Sequence, residues 1–220
     1  MKKVKPSSAA RARSPRYVLQ LKIALRHITP LIWRRVLVPD DLTPGDLHYV
    51  IYRAMGWDGS HMHDFRFGGG FKPVIYAGTM AVQEGGPTIR HEDAVTLAQL
   101  IKRKGQVFTY EYDFGDGWQH RVLVEKMIPL ESSMLLPVCV AGARTCPPED
   151  CGGVPGYARV LRVLQEAVSE DDRRFRDWVG KSDPEHFDLD EINRRLQPRP
   201  VPVTPDYLQQ DVPTRLLKNG

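Results

Sequence analysis

Hydrophobic and polar positions alternate in the first patterned stretch of the chain. Every second residue from Leu19 to Leu25 is apolar, and Gln20 and Lys22 occupy positions between them. A period of two is typical of a half-buried strand, so the pattern predicts a strand over residues 17–25. Apolar positions continue beyond the Thr29-Pro30 turn and predict a second strand, paired with the first as a hairpin.

A helical period follows the two strands. Thr43 can cap a helix, Pro44 suits its first position, and Asp46 stands where a capping box needs a carboxylate. Apolar residues then recur every three or four positions as far as Gly56, which is a natural C-terminal cap. This pattern predicts an amphipathic helix that packs on a sheet.

The remaining pattern divides into a sheet part and a helical part. Phe65 and Phe67 predict a third strand, a short helix follows the Thr96 cap, and two strands flank Gly115–Gly117. From Gly156 onward the period is helical, and the last helix is expected to begin at Asp188. We therefore predict an α+β fold, a β-grasp-like mixed sheet with a packed helix, followed by a C-terminal helical lobe.

The same pattern predicts three regions. We expect residues 1–16 to form a basic disordered tail, residues 17–196 to form the folded domain, and residues 197–220 to form a proline-rich tail. Within the domain, the sheet part covers about 17–130, and a cysteine loop with helices covers about 137–196.

The register of the last hairpin decides where its polar residues lie. A two-residue Asp-Gly loop would set Asp113 opposite His120, but it mixes apolar and charged residues on both faces. A three-residue loop over 115–117 pairs Tyr112 with His120 and Tyr110 with Val122, which sorts the faces consistently. We therefore expect Tyr112 and His120 to share one face of the sheet and Asp113 to lie on the other.

The positive charge of the chain is concentrated at its start. The net charge is +4, but the first sixteen residues contain six basic residues and no acid. The remainder has 25 basic and 27 acidic residues, so it carries about two negative charges. The tail is either an arm that binds phosphates or a solvated leader. Its basic residues are Lys2, Lys3, Lys5, Arg11, Arg13 and Arg16.

Composition excludes some classes of protein. No stretch of the 220 residues approaches the roughly 18 consecutive apolar residues of a membrane helix. We expect no membrane partner and a cytoplasmic location. Three cysteines, an odd number, cannot all pair within one chain, so free thiols or metal ligands are favoured over a disulfide framework.

The three cysteines lie within thirteen residues and suggest a zinc centre. Cys139, Cys146 and Cys151 could supply three thiolates, with His120 or His61 as the fourth ligand. The alternative is a rigid loop without metal, in which Glu149 and Asp150 cap the helix at Gly156.

Two histidines, His61 and His63, are two residues apart, so on a strand their side chains would share one face. Such a pair could bind one metal ion, or it could simply pack against neighbouring residues. Two hypotheses therefore stand. One is a binding surface, and the other is a metal-dependent hydrolase that uses His61, His63, Asp113, Asp116 and His120. The candidate binding residues are His61, His63, Asp113, Asp116, Trp118, Glu149 and Asp150.

Several separate motifs resemble the plasmid pRiA4b ORF-3-like family over about residues 17 to 196. They are Ile32-Trp33-Arg34-Arg35, Met55-Gly56-Trp57 to His61-Met62-His63, Tyr112 to Trp118, Val138 to Gly142, Cys146 to Gly153 with Gly156-Tyr157, and Phe187-Asp188. The resemblance implies an accessory protein carried by plasmids, insertion elements and bacterial chromosomes, with no defined reaction. We therefore expect a non-enzymatic module, associated with mobile elements, that binds nucleic acid through its tail or binds another protein.

Overall fold

A computed structural model describes residues 17–68, 73–85, 88–130 and 135–197. Within these ranges, eight strands form one sheet in the order β5-β4-β3-β6-β7-β1-β2-β8. They are β1 (Tyr17–Leu25), β2 (Trp33–Pro39), β3 (His63–Phe67), β4 (Val74–Ala77), β5 (Ile89–His91), β6 (Val107–Tyr112), β7 (Trp118–Pro129) and β8 (Val138–Ala143). The described helices are α1 (Pro44–Met55), α2 (Thr79–Gly85), α3 (Leu97–Leu100), α4 (Gly153–Gln165), α5 (Glu170–Val179) and α6 (Leu189–Leu196).

The α+β class is confirmed, and the finer β-grasp arrangement is not. Strands β1 and β2 form the predicted antiparallel hairpin, and β1 also pairs antiparallel with β7. The sheet extends further than we expected, through β4 and β5 at one edge and β8 at the other. The predicted terminal tails, residues 1–16 and 197–220, lie outside the described residues except for Gln197.

Helix α1 forms where the sequence predicts it and for the reasons it indicates. The Thr43 side chain accepts from the Asp46 backbone, and the Asp46 carboxylate accepts from the Thr43 backbone. The helix ends at Gly56, whose left-handed backbone (φ 101°) favours glycine. The buried face of α1 packs against the sheet and brings His48 over Tyr110 of β6.

Arg34 links β2 to α1 and to the chain that follows β8. Its guanidinium is buried and donates to the carbonyls of Ala54, Ala143 and Arg144. Buried carbonyls need hydrogen-bond donors, and the Arg34 guanidinium supplies one to each of the three. Arg34 therefore holds three parts of the chain in one arrangement.

At the edge of the sheet, α6 covers β8 through a polar contact. Asn193 accepts from the backbone N–H of Cys139 and donates to its carbonyl. On the edge strand β8, these two hydrogen bonds pair backbone groups of Cys139 that a neighbouring strand would otherwise pair. The predicted cap of α6 is also present, because the Asp188 side chain accepts from the Glu191 backbone.

The last hairpin has the predicted face but a different register. Tyr112 pairs with Trp118 and Tyr110 pairs with His120, so the turn contains five residues, 113–117. Our expected register is therefore wrong by two residues. A shift of two keeps every side chain on its face, and the shared face of Tyr112 and His120 is confirmed by Trp57, which packs on both rings.

Candidate functional site

A cleft of about 700 Å³ opens between α1, the loop before β3, the start of α2 and the turn after β5. Helix α1 contributes His48 and Tyr52, and the loop contributes the segment from Asp58 to His63. Glu92 and Asp93 close the opposite side, in a short 3₁₀ turn. None of the described residues that line the cleft is a lysine or an arginine.

His63 and Glu92 form a largely buried pair at the base of the cleft. The His63 Nε2 atom lies 2.7 Å from Glu92 Oε2, and only about a tenth of each side chain is exposed. The ring of His48 stacks on the ring of His63, with centroids 3.4 Å apart and planes only 5° from parallel. The Glu92 carboxylate thus contacts one ring of a stacked pair of imidazoles.

His48 is held as a neutral ring. Burial lowers the pKa of His48 well below its usual range, and the neighbouring His63 lowers it further. The Nδ1 atom of His48 lies 2.7 Å from the hydroxyl of Tyr110. Burial raises the pKa of Tyr110 well above its ordinary value, so the hydroxyl stays protonated and can donate a hydrogen bond to His48.

At the outer end of the cleft, His61 lies between two carboxylates. His61 Nδ1 is 3.7 Å from Asp113 Oδ1, and His61 Nε2 is 3.4 Å from Asp150 Oδ1. Asp113 comes from the turn between β6 and β7, and Asp150 comes from the loop before α4. Three segments that are distant in sequence therefore meet here.

Glu149 and Asp116 position these loops. One oxygen of Glu149 accepts from the Tyr112 hydroxyl and from the Asp58 backbone N–H, both at 3.0 Å. The Asp116 carboxylate accepts from the backbone N–H of Gly152 at 3.1 Å. Glu149 therefore does not cap α4 as the metal-free alternative predicted, and α4 begins earlier, at Gly153.

The five residues of the hydrolase hypothesis do not converge. His63 pairs with Glu92, Asp116 bonds the loop before α4, and His120 is completely buried in the core. Trp118 is also completely buried, so it has no surface to offer as a binding residue. Of the hydrolase set, only His61 and Asp113 come together, and Asp150 joins them.

The three cysteines are buried in separate surroundings. Cys139 donates to the Ala141 carbonyl, whereas Cys146 lies 3.2 Å from the Met55 sulfur and 3.4 Å from the Arg34 guanidinium. Among the described residues they do not form a group of three within ligand distance of one another. Burial raises the pKa of all three thiols, that of Cys151 to about 12, which favours the protonated form.

Sequence patterns missed two residues that matter most for the cleft, His48 and Glu92. His48 borders the apolar stripe of α1, so its position beside Leu47 was a usable signal. Glu92 follows the three-residue strand β5, which carries no alternation long enough to detect. The parallel pairing of β5 with β4 brings Glu92 to His63.

Comparison with known proteins supports the resemblance noted above. The model of the family described as plasmid pRiA4b ORF-3-like protein matches residues 17–194. The uncharacterized protein y4hQ of Sinorhizobium fredii (strain NBRC 101917 / NGR234) is 35% identical over 170 residues, which cover 76% of this chain and 82% of that protein. A crystal structure of the protein of unknown function MM3350 from Methanosarcina mazei Go1 superposes with a TM-score of 0.72 and 34% identity, covering 81% of this chain and 98% of that one.

Within the described ranges, no helix is long and apolar enough to cross a membrane.

Proposed function

The chain belongs to the plasmid pRiA4b ORF-3-like family, and we propose that it is a non-enzymatic binding module whose cleft accepts a lysine or arginine side chain of a partner protein. The association with mobile elements and the cytoplasmic location remain parts of this proposal. The observation that carries it is the charge of the cleft lining. Asp58, Glu92 and Asp93 line the cleft, and no described lining residue is basic.

The electrostatics favour a cation over a phosphate. Phosphate groups are bound by arginine, lysine or clustered backbone N–H groups, which a carboxylate-lined wall does not supply. A lysine ammonium or an arginine guanidinium would instead find Glu92 at the base and imidazole faces beside it. The neutral His48 adds no opposing charge.

The rim of the cleft suits a flexible peptide segment. Met62 and Met80 line the cleft, and Met80 is 63% exposed. Methionine adapts its shape to varied apolar partners, so these residues can pack the aliphatic stem of a basic side chain. A protein partner therefore fits both the charge and the surface of the site.

The test is an array of nine-residue peptides, randomised around one fixed central residue. We expect peptides with central lysine or arginine to bind, and acetyl-lysine and glutamate peptides to bind at least about tenfold more weakly, since a charged hydrogen bond contributes roughly 1.5 to 3 kcal/mol. Glu92→Gln should remove the preference. Glu166→Gln, outside the cleft, is the matched control. Equal binding of the acetyl-lysine peptide would refute the proposal.

A nucleic-acid role for the tail is a separate expectation. Residues 1–16 lie outside the described residues, so the cleft neither supports nor opposes it. Six basic residues in contact with phosphates would make DNA binding fall steeply with salt. If a chain that begins at Tyr17 bound duplex DNA as tightly as the full chain, the folded domain would be the binder instead.

A further inference from the structure

We infer that one divalent transition-metal ion binds between His61, Asp113 and Asp150. Each residue offers one ligand atom, and the three atoms all lie within 4.8 Å of one another. Two ligands at about 2.1 Å from one ion can be at most about 4.2 Å apart, so small side-chain rotations bring all three into the first coordination sphere. The site stands independently of the proposed peptide partner.

The surroundings of this trio carry an excess of negative charge. Glu149, the chain neighbour of Asp150, adds a further carboxylate, whose Oε1 atom accepts from the Tyr112 hydroxyl and the Asp58 backbone N–H. Its Oε2 atom is buried and has no hydrogen-bond partner among the described residues. A buried carboxylate oxygen without a donor is costly, so a positive charge in this part of the molecule would stabilise it.

The two carboxylate ligands are held by their own loops. Asp113 has a left-handed backbone (φ 55°), and its Oδ1 accepts from the backbone N–H groups of Gly115 and Asp116. Asp150 also has a left-handed backbone (φ 54°), at the point where Gly152 donates to Asp116. The Gly152–Asp116 hydrogen bond fixes the turn against the loop, so the Asp113 carboxylate and the backbone near Asp150 are preorganised.

The donor set indicates which ions to expect. One imidazole nitrogen and two carboxylates form a mixed set that suits Mn²⁺ or Zn²⁺, whereas Mg²⁺ and Ca²⁺ prefer oxygen ligands alone. The Asp150 side chain is 72% exposed, so solvent can complete the coordination sphere. We therefore expect an open site, with positions available to water or to a partner.

The test titrates Mn²⁺ into the full, tag-free chain at neutral pH and follows free Mn²⁺ by electron paramagnetic resonance. We expect one ion per chain, and at least tenfold weaker binding for Asp113→Asn and for Asp150→Asn. Asp150→Asn tests the site without endangering the fold, because this side chain is exposed. Asp177→Asn, on α5, is the matched control and should bind like the unaltered chain.

A parallel Zn²⁺ titration by calorimetry separates this site from the cysteines. His61→Ala should weaken Zn²⁺ binding at least tenfold, whereas Cys146→Ser should leave it unchanged. Zn²⁺ binding that survives His61→Ala but is lost in Cys146→Ser would overturn the proposal in favour of a thiolate centre. Absence of stoichiometric Mn²⁺ and Zn²⁺ binding to the folded chain would also overturn it. A failure of basic peptides to bind would leave these results unaffected.

Discussion

His120 should make the stability of this protein depend on pH, and His120→Leu should remove that dependence. The ring is completely buried between Trp57 and Tyr110. Neither ring nitrogen has a hydrogen-bond partner of good geometry among the described residues. Burial lowers the pKa of His120 from 6.5 to about 3, and nearby backbone groups of Tyr110 and Trp118 offset only part of this shift.

Proton linkage at His120 makes the free energy of unfolding fall as the pH falls. The unfolded chain binds a proton at His120 below pH 6.5, whereas the folded chain does so only near pH 3. The free energy of unfolding is therefore highest above pH 6.5, where His120 is neutral in both states, and it decreases as the pH falls toward 3. Between pH 8 and pH 5 this one residue lowers the free energy of unfolding by about 2 kcal/mol.

The assay is urea unfolding of His120→Leu and of the unaltered chain at pH 8 and pH 5. The readout is the change between the two pH values, because leucine also alters packing at both. We expect the loss between pH 8 and pH 5 to be smaller in the variant by about 2 kcal/mol. His186→Leu, at an exposed histidine, is the matched control. An identical pH dependence in His120→Leu would refute the reasoning.

Three further substitutions test other parts of the fold by urea unfolding. Arg34→Met should cost about 3 kcal/mol or more, because it leaves buried carbonyls without a donor. Arg35 lowers the pKa of Glu125 to about 2, so Glu125→Gln should flatten the loss of stability as the pH falls from 4.5 to 2. Gly153→Ala should cost about 2 kcal/mol, because its Cβ would overlap the Asp116 carbonyl at a positive φ. A change below about 0.5 kcal/mol in the free energy of unfolding would contradict the expectation for Arg34→Met or Gly153→Ala. For Glu125→Gln, the contradicting result is an unchanged loss of stability between pH 4.5 and pH 2.

Long periodic segments were predictable from the sequence, and short ones were not. The strand β1 has nine residues with clear alternation, and α1 has its cap, its stripe and its terminal glycine. Strand β5 has only three residues and is held by parallel pairing with β4. Such a segment carries too few positions to show a period, so its place depends on contacts with distant residues.

The hairpin register shows how a correct criterion can give an inexact answer. Sorting apolar from charged side chains identifies the buried face, but any even shift satisfies it equally well. The observed five-residue turn is favoured by contacts outside the hairpin, since the Asp113 backbone donates to the Met62 carbonyl and Asp116 holds Gly152. These partners are remote in sequence, so the hairpin residues alone could not distinguish the two registers.

The loop before α4 explains why carboxylates, and not thiols, face His61. Its prolines and glycines indicated a tight turn, and two remote contacts determine its orientation. Trp57 Nε1 donates to the Pro147 carbonyl, and Gly152 donates to Asp116. The cysteines at the two ends of this loop are buried. Asp150 lies beside His61, and Glu149 lies beside Tyr112. A local pattern can therefore identify a segment shaped to present ligands, but its tertiary contacts decide which side chains it presents.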